Sequence, residues 1–397
     1  MFIFAESIEI EKPGGGGSTR DRGIGTRLIH SGEDILVPEK PLEVPIYLSA
    51  GFVTPSLARI YLYSREANPT VTALEEKVAE IEGYSSAVAF SSGMSAISTI
   101  FLTLLKPGSK MVIQRDIFAR TIVLARELSE KIGFKLIEAS PEEIISEVER
   151  WKPDLVFIES VSNPLLKVID IFELGKLCRE LGSVLVVDNT IPTPINLRPS
   201  EAGAHIVVHS ASKYLGGHND LIGGVVAGEP ELVEEIREKR ADLGTIMDPF
   251  TAFLVIRGLK TLHIRMERHN RNAEELAKSL ENNKKISKIY YPGLESHPSY
   301  SIARKILKGF GGIVSIEIKA DVDSALRFMK ELKIAKPAGT FGGPETLVSH
   351  PATMSHRHYS REEREMIGIR DNLVRISVGL ENIEDIVEDI EEALSKI

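Results

Sequence analysis

The stretch VLVVDNTIPTPINLRPSEAGAHIVVHSASKYLGGHND, residues 184–220, decides the fold of this chain. It contains two nearly continuous apolar runs, residues 184–189 and 205–210, and each run delivers polar side chains at its end. Strands that are buried on both faces of a sheet have this composition, because neither face meets water. The stretch therefore predicts two strands of a mostly parallel sheet.

The same alternation of short apolar runs and longer amphipathic stretches extends from residue 68 to residue 259. Strands are predicted at residues 87–90, 110–114, 154–160, 184–189 and 205–210, and helices at 72–82, 119–132, 169–181 and 231–240. This order is typical of an α/β fold with a mostly parallel sheet flanked by helices. Because ligands bind beyond the carboxyl ends of such strands, we expect the functional residues among those that follow them: Ser91, Ser92, Asp116, Asn163, Asp188, Ser210 and Lys213.

The pattern of predicted helices and strands changes after about residue 257. Long charged helices are followed by predicted strands at 311–318 and 373–377, a glycine-rich loop at 339–343 and a terminal acidic helix. These features predict a smaller C-terminal α/β domain. We expect an N-terminal extension and subunit-contact segment at residues 1–62, a cofactor-binding domain at 63–256 and a C-terminal domain at 257–397.

Composition argues against several classes of function. The 57 acidic residues outnumber the 48 basic ones, and a net charge of −9 disfavours binding to nucleic acid. Cys178 is the only cysteine, so neither an intrachain disulfide nor a cysteine-based zinc cluster can form, and we expect a buried thiol. His205 and His209, like His350, His356 and His358, lack the carboxylate spacing of a metal site, so we predict no metal.

The first residues do not have the pattern of a targeting segment. The apolar start carries Glu6, Glu9 and Glu11 and no basic region, which argues against a signal peptide. The sequence contains no run of 18 apolar residues, so we expect a cytoplasmic protein that does not enter a membrane. The glycines at residues 14–17 lack the Gly-Lys-Ser/Thr ending of a phosphate-binding loop, which favours a linker or tail.

Lys213 and Asp188, which follow or end predicted strands, are candidates for a chemical role. Lys213 enters a glycine-rich loop, where its amine could form a Schiff base, although a lone lysine there would more often be a surface residue. Asp188 could pair with a protonated pyridine nitrogen, a magnesium ion or a helix amide, and no second nearby acid supports the metal. Ser210 and Ser212 are spaced to face one side of an extended segment and could donate to phosphate oxygens.

Two further segments suggest anion binding. Ser91 and Ser92 precede Gly93 at the start of a predicted helix, where they could help to bind a phosphate or serve only as a helix cap. Arg375 lies on a predicted strand and could bind a carboxylate through two parallel hydrogen bonds. An amine, a carboxylate, a phosphate site and an arginine are the devices that pyridoxal 5′-phosphate (PLP) chemistry requires.

Nine segments, in this order and spacing, resemble the trans-sulfuration family of PLP-dependent enzymes. They are YSREANPT (63–70), SSGM (91–94), ESVSNP (159–164), VVDNT (186–190), SASKYLGGHND (210–220), RGLKTL (257–262), YPGLESHP (291–298), GFGG (309–312) and LVRISVGLEN (373–382). The family includes cystathionine γ-synthase, cystathionine γ-lyase, methionine γ-lyase and O-acylhomoserine sulfhydrylase. The resemblance covers the chain after about residue 25 and implies the fold-type I architecture of PLP-dependent transferases.

The resemblance also implies roles for individual residues. Lys213 would bind the cofactor covalently and transfer protons, with Asp188 at the pyridine nitrogen and Phe118 stacked on the ring. Further cofactor contacts would come from Asn163, Thr190, Gly93, Met94, Ser210 and Ser212, and from Tyr63 and Arg65 of a neighbouring subunit. Thr340 and Arg375 would bind the substrate, and the implied assembly is a homotetramer of two catalytic dimers.

The sequence departs from the family pattern at three positions. Phe118 replaces a tyrosine that stacks on the ring and can transfer a proton, so stacking is retained but the hydroxyl is lost. Arg120 lies where small residues or cysteine are usual, and it could be a cation of the pocket or a solvent-facing helix residue. Gly339 lies where cystathionine-handling members tend to have glutamate.

The predicted activity is replacement or elimination of the γ substituent of a homoserine-derived amino acid, similar to cystathionine γ-synthase. Cystathionine γ-lyase, methionine γ-lyase and O-acylhomoserine sulfhydrylase activities are alternatives within the family. Two hypotheses from other classes are an aminotransferase or racemase of the same fold and a PLP-binding protein without catalysis. The γ substituent and the nucleophile are left open by the sequence.

Overall fold

The computed structural model describes residues 22–32, 41–53, 61–319, 321–357 and 359–397. The glycine run at 14–17, the acidic residues before it and His358 lie outside the described residues. The helices are α1 Ile24–His30, α2 Pro69–Glu82, α3 Gly93–Leu104, α4 Ala119–Leu128, α5 Ile144–Trp151, α6 Ile171–Leu181, α7 Thr193–Asn196, α8 Pro230–Leu243, α9 Pro249–Leu259, α10 Leu262–Leu280, α11 Tyr300–Ile306, α12 Val322–Glu331, α13 Arg361–Met366 and α14 Ile383–Ser395. The strands are β1 Ser86–Phe90, β2 Lys110–Gln114, β3 Lys135–Ala139, β4 Leu155–Glu159, β5 Val184–Asp188, β6 Ile206–Ser210, β7 Gly224–Gly228, β8 Ile286–Tyr290, β9 Ile313–Ile318, β10 Lys336–Pro337, β11 Leu347–Ser349 and β12 Leu373–Ser377.

Strands β1 to β7 form one seven-stranded sheet in the order β1-β7-β6-β5-β4-β2-β3. The neighbours from β6 to β3 are parallel, whereas β7 runs antiparallel to both β1 and β6. This arrangement confirms the prediction of a mostly parallel sheet flanked by helices. It also brings the carboxyl ends of β4, β5 and β6 side by side at one edge.

Alternate residues of each strand enter different hydrophobic cores. On β5, Leu185 and Val187 pack in the core that includes α2, α6 and α9, whereas Val186 packs in the core that includes α3 and α8. Both faces of the sheet are therefore apolar, which explains the nearly continuous hydrophobic runs in the sequence. Asp188, two residues beyond Val186, points to the face that α3 covers.

Each helix and strand that the sequence predicted is present, with differences at the ends, and the structure contains further elements. Helix α4 is shorter than predicted, because a π-helical turn at Ser129–Gly133 follows it. The sequence interpretation missed the strands β3 and β7 and the helix α5 of the first part of the chain, and the strands β8, β10 and β11 of the second. The expectation that Ser212 continues an extended segment is wrong, because β6 ends at Ser210 and the chain then turns.

Strands β8 to β12 form a second, five-stranded sheet in the order β10-β11-β12-β9-β8. Only the short pair β10 and β11 is parallel. In the hydrophobic core of this second sheet, β9 and β12 pack against α10, α12 and α14. The predicted boundary between residues 256 and 257 falls within α9, and the division into domains stays a prediction.

Two sequence expectations concern single features of this architecture. Cys178 on α6 is buried, as expected, and burial raises the pKa of its thiol to about 12. None of the helices in the described part of the chain is long and apolar enough to span a bilayer.

Candidate active site

A cavity of about 240 Å³ lies at the carboxyl ends of β4, β5 and β6, on the face of the sheet that α3 covers. Strand ends supply Glu159, Asp188 and Ser210, the start of α3 supplies Gly93, and the second sheet supplies Arg375. The full lining is Ser92, Gly93, Met94, Ile97, Phe118, Glu159, Val161, Asn163, Asp188, Thr190, Ile191, Ser210, Ser212, Lys213, Ile222, Gly339, Phe341, Ser355 and Arg375.

Lys213 lies in the turn that follows β6 and extends its amine into this cavity. The amine donates a hydrogen bond to Thr340 Oγ1 at 3.2 Å, and no acidic side chain of the described residues forms a salt bridge with it. Burial, together with the nearby positive charge of Arg375, lowers the pKa of Lys213 to about 8. The amine is therefore partly neutral near pH 7 and can act as a nucleophile or a base.

Asp188 ends β5 with its carboxylate in a partly buried wall of the cavity. Its Oδ1 accepts hydrogen bonds from the Thr190 amide at 3.0 Å and from Thr190 Oγ1 at 2.5 Å. Burial raises the pKa of Asp188, while the bonds from Thr190 and the charge of His209 act in the opposite direction. Thr190 Oγ1 also accepts the Ser210 amide at 2.9 Å, which ties the ends of β5 and β6 together.

The amino end of α3 forms the opposite wall. Ser92 caps this helix, since its hydroxyl accepts the Ser95 amide at 3.0 Å and Ser95 Oγ accepts the Ser92 amide at 2.9 Å. A Cβ at Gly93 would lie 3.1 Å from Ser210 Cβ, so glycine permits the helix to approach the end of β6 this closely. The first amides of a helix have no partner within it and attract anions.

Arg375 on β12 enters the cavity from the second sheet, and it is buried. Its guanidinium donates to Asn163 Oδ1 at 3.2 Å and to the Thr340 carbonyl oxygen at 2.8 Å. Within the described residues it forms no salt bridge with an acid and its Nε has no hydrogen-bond partner. Burial lowers the pKa of Arg375 to about 10. A buried cation without a counter-ion suits a ligand that brings a carboxylate.

Two aromatic rings line the cavity. Phe118, just before α4, is 36% exposed, and Phe341 lies with its ring centroid 5.2 Å from Lys213 Nζ and 5.3 Å from Arg375 Cζ. Arg120 is exposed on α4 and is not part of the cavity lining, which favours the solvent-facing interpretation. Gly339 does line it, and a Cβ there would meet nothing closer than Met354 Cε at 3.8 Å.

Tyr63 and Arg65 lie on the surface of the chain and outside the cavity lining. The Arg65 guanidinium carbon is 5.6 Å from the Tyr63 ring centroid, and Arg65 Nη1 donates to the Ala241 carbonyl oxygen at 3.1 Å. The structure of one chain therefore brings the other predicted cofactor residues together but not this pair. Their predicted contribution to a neighbouring subunit stays a prediction.

Two residues that we expected at the carboxyl ends of the strands, Ser91 and Asp116, are not part of the cavity lining. Ser91 is exposed and bonds Ser95, and Asp116 bonds Gln114 Nε2 at 3.0 Å and pairs with Lys167 at 3.3 Å. Conversely, the sequence interpretation assigned no role to Glu159, Ile222, Phe341 and Ser355, which line the cavity. Glu159 had a usable signal, because it ends an apolar strand as Asp188 does.

The histidines have hydrogen-bonding roles. His209 Nε2 contacts Glu82 Oε1 at 2.5 Å on the other face of the sheet, and His350 Nε2 contacts the Asp371 carbonyl oxygen at 2.6 Å. His356 Nδ1 contacts Ser355 Oγ at 2.9 Å, and burial lowers the pKa of His356 to about 4. Within the described ranges, no three His, Cys, Asp or Glu side chains are grouped to hold a metal ion.

The cavity fits PLP in each of its parts. It offers a buried amine of lowered pKa, a strand-end carboxylate held by Thr190, helix amides approached closely because Gly93 lacks a side chain, and a flat ring at Phe118. When bound, the cofactor supplies an electron sink for chemistry at the carbons of an amino acid. Fold and site together define a PLP-dependent enzyme.

Comparisons with known proteins identify the family. The family described as Cys/Met metabolism PLP-dependent enzyme matches residues 25–395. The chain is 40% identical over 378 residues to a cystathionine β-lyase of Coxiella burnetii, covering 94% of this chain and 97% of the relative. It is also 40% identical over 390 residues to an L-methionine γ-lyase of Fusobacterium nucleatum, and this match covers 94% of this chain and 98% of the relative.

Solved structures give the same result. A cystathionine γ-synthase of Xanthomonas oryzae pv. oryzae, in complex with aminoacrylate and cysteine, superimposes with a TM-score of 0.91 at 34% identity, covering 94% of this chain and 98% of that one. The chain therefore belongs to the Cys/Met metabolism family of PLP-dependent enzymes, as the motif series indicated, and its cofactor is PLP.

Proposed function

We propose that this enzyme replaces or eliminates the γ substituent of an amino acid derived from homoserine. The observation that carries the proposal is Arg375, a buried cation without an acidic partner among the described residues, in the same cavity as Lys213. A substrate carboxylate at Arg375 would place the substrate's α carbon toward the amine. Family membership supports chemistry at the side chain of a sulfur-pathway amino acid.

Each residue has a distinct role in this proposal. Lys213 would hold the cofactor through its amine and, when that amine is free, would take the proton from the substrate's α carbon and return protons later. Asp188 keeps the pyridine nitrogen protonated and is itself held by Thr190. Asn163 holds Arg375 and would contact the ring hydroxyl, while Thr190 would lie beneath the ring.

The remaining contacts bind the phosphate and the substrate. Gly93 and Met94 would donate backbone amides to the phosphate, and Ser210 and Ser212 would donate hydroxyl groups. Phe118 would stack on the ring and exclude water from it. Thr340 accepts the bond from Lys213 and thereby orients the amine toward the substrate.

We also propose that the protein is a homotetramer of two catalytic dimers and acts in the cytoplasm. Tyr63 and Arg65 are exposed and would reach the phosphate of the neighbouring subunit. The exposed apolar side chains Leu48, Leu62 and Ile222 suit burial between subunits. The division at residues 62 and 256 belongs to the same proposal.

The test is a product survey of the purified holoenzyme by mass spectrometry. Substrates should include O-acylated and phosphorylated homoserines, cystathionine, methionine and homocysteine, each with and without cysteine or sulfide. New thioether or thiol products indicate replacement, and an α-keto acid with ammonia indicates elimination. For cystathionine, release of cysteine marks cleavage on the γ side, and release of homocysteine marks cleavage on the β side.

Three outcomes would contradict the proposal, and the first is release of homocysteine from cystathionine with no reaction at the γ carbon of any substrate. Transfer of the amino group to a second keto acid would indicate an aminotransferase. Saturable binding of PLP with no turnover of any γ-substituted amino acid would indicate a catalytically silent protein.

A further inference from the structure

Two acidic side chains stand next to each other in the wall of the cavity. Glu159 ends β4 and pairs in register with Asp188, which ends the neighbouring parallel strand β5. Neighbouring strands are about 4.8 Å apart, and paired residues point to the same face. Both side chains line the cavity. Two ionised carboxylates in such a position repel each other, so one of them tends to keep its proton.

The hydrogen bonds around the pair are unequal. Asp188 Oδ1 accepts two bonds from Thr190, and one of these comes from a hydroxyl at 2.5 Å. Glu159 Oε1 accepts the Phe118 amide at 2.8 Å, but Oε2 is buried and has no partner within the described residues. An unpaired buried oxygen is far more costly on a carboxylate than on a protonated carboxyl group.

The charges that face the pair lead to the same assignment. Asp116, although it pairs with Lys167 at 3.3 Å, still disfavours a second negative charge at Glu159, and the neighbouring Tyr359 contributes no positive charge. His209 lies on the other face of the sheet, where it contacts Glu82, and a positive charge on its ring would favour an ionised Asp188. The negative charge is therefore better placed on Asp188 than on Glu159.

We propose that Glu159 is a positioning residue that stays protonated, leaves the negative charge on Asp188 and holds Phe118 in place through its backbone amide. Phe118 immediately precedes α4, and no side chain caps that helix. The hydrogen bond that the Phe118 amide donates to Glu159 Oε1 therefore anchors the start of α4 and with it the Phe118 ring, which borders the cavity. The proposal does not depend on which γ substituent the enzyme accepts.

The acid–base properties agree with this geometry. Burial and the neighbouring charge of Asp188 raise the pKa of Glu159 well above its ordinary value, while the hydrogen bond from the Phe118 amide and the nearby Asn163 amide act in the opposite direction. Asp188 is buried less completely and receives the stronger donors.

The first experiment is infrared difference spectroscopy of the holoenzyme near neutral pH. Glu159→Gln should remove a carbonyl band of a protonated carboxylic acid, whereas the control Glu317→Gln should not affect the cofactor site. Glu317 is a suitable control because it is also a buried glutamate on a strand, β9, and bonds Tyr290. Loss of a carboxylate band in Glu159→Gln would overturn the proposal.

The second experiment separates the proton from the hydrogen bond. Glutamine is neutral and can still accept the Phe118 amide, so Glu159→Gln should bind PLP within about twofold of the parent and keep its visible spectrum across pH. Leucine has a similar size but no acceptor, and we expect Glu159→Leu to bind PLP roughly tenfold more weakly, the loss of about one hydrogen bond.

Each result of this second experiment bears on the proposal. If the glutamine variant binds as weakly as the leucine variant, or its visible band titrates differently, then Glu159 acts through a charge and the proposal is wrong. If leucine binds as well as the parent, the bond to Phe118 has no positioning role. Should the leucine variant fail to fold, the infrared result and the glutamine spectrum still decide the protonation state.

Discussion

The acid–base state of Lys213 gives a prediction for a single residue. With a pKa of about 8, roughly a tenth of the amine is neutral at pH 7, about 300-fold more than for an ordinary lysine. Since only the neutral amine attacks an aldehyde, the rate at which apoprotein regains the visible band of bound PLP should rise with pH through a midpoint near 8. Stopped-flow absorbance from about pH 6 to about pH 10 measures this rate.

The cause of that lowered pKa can be tested separately. Arg375→Gln removes a nearby positive charge, so the midpoint should move upward, although burial keeps it below the value of a free lysine. Arg370→Gln is the control, because Arg370 is exposed and pairs with Glu317 outside the cavity. An equal shift in both variants would show that the effect is not local.

Gly339 gives a prediction about substrate choice. Cystathionine carries a distal ammonium, and a glutamate at this position could bind it, a contact worth roughly 1.5–3 kcal/mol or one to two orders of magnitude in discrimination. The open space at Gly339 can take the side chain. We expect the parent to prefer activated homoserine esters and Gly339→Glu to raise the relative kcat/KM for cystathionine.

The neutral variant Gly339→Gln controls for side-chain size and should give little of this gain. Phe118 also favours homoserine esters over cystathionine as substrates, because it cannot protonate a departing thiolate as a tyrosine could. A parent kcat/KM for cystathionine above that for every homoserine ester would contradict the prediction.

At the residue scale, sequence reasoning reached the side chains that follow a strand or a motif. Asp188 and Lys213 were predictable because an apolar run ends just before each of them. Phe341 and Ser355 were not, because they belong to loops of the second sheet that only the tertiary fold brings to the cavity. Glu159 was overlooked, although its place at the end of β4 repeats that of Asp188.

At the scale of an element, the cap of α3 can be compared with an equivalent cap elsewhere. Ser92 and Ser360 both accept an amide three residues on and both form a capping box, but Ser360 begins α13, outside the cavity lining. Replacing either serine by alanine should lower the free energy of unfolding by about 1 kcal/mol. Only Ser92→Ala should also weaken PLP binding by several fold.

Pyridoxal, which lacks the phosphate, provides the control ligand for this comparison. Its affinity should change less than that of PLP in Ser92→Ala, as measured by titration of the apoprotein. If both ligands lose affinity equally, the start of α3 does not bind the phosphate.

Two of the strands that the sequence interpretation missed, β3 and β7, have physical explanations. Strand β3 is the edge of its sheet and carries charged, partly exposed side chains, so its composition differs from that of the central strands. Strand β7 reads GVVAG, with a glycine at each end, and glycine weakens the signal of a strand. A Cβ at Gly224 would lie 2.3 Å from the Ser92 carbonyl oxygen, so tertiary contact rather than strand preference selects this glycine.

At the scale of the whole molecule, the proposed exchange of Arg65 between subunits can be tested by mixing inactive chains. In a hybrid of Arg65→Ala and Lys213→Ala chains, one site would combine an intact Lys213 with an intact Arg65. Partial activity should therefore return on co-refolding. A hybrid of Lys213→Ala and Asp188→Ala chains is the control, because both residues lie in the cavity of one chain and every site keeps a defect. Verified hybrids of the first kind without activity would place Arg65 outside the site.

The pairing of β1 with β7 has a consequence for synthesis on the ribosome. β1 pairs along its whole length with a strand that ends at Gly228, so a nascent chain cannot complete this sheet until that residue has emerged. Until then the apolar strands β1 and β6 lack β7, which lies between them in the sheet, and the start of α3 lacks its contact with Gly224. Such exposed edges invite aggregation and are what chaperones bind. Stalled chains that end before β7 should be digested readily by protease, whereas chains that extend past α9 should resist it.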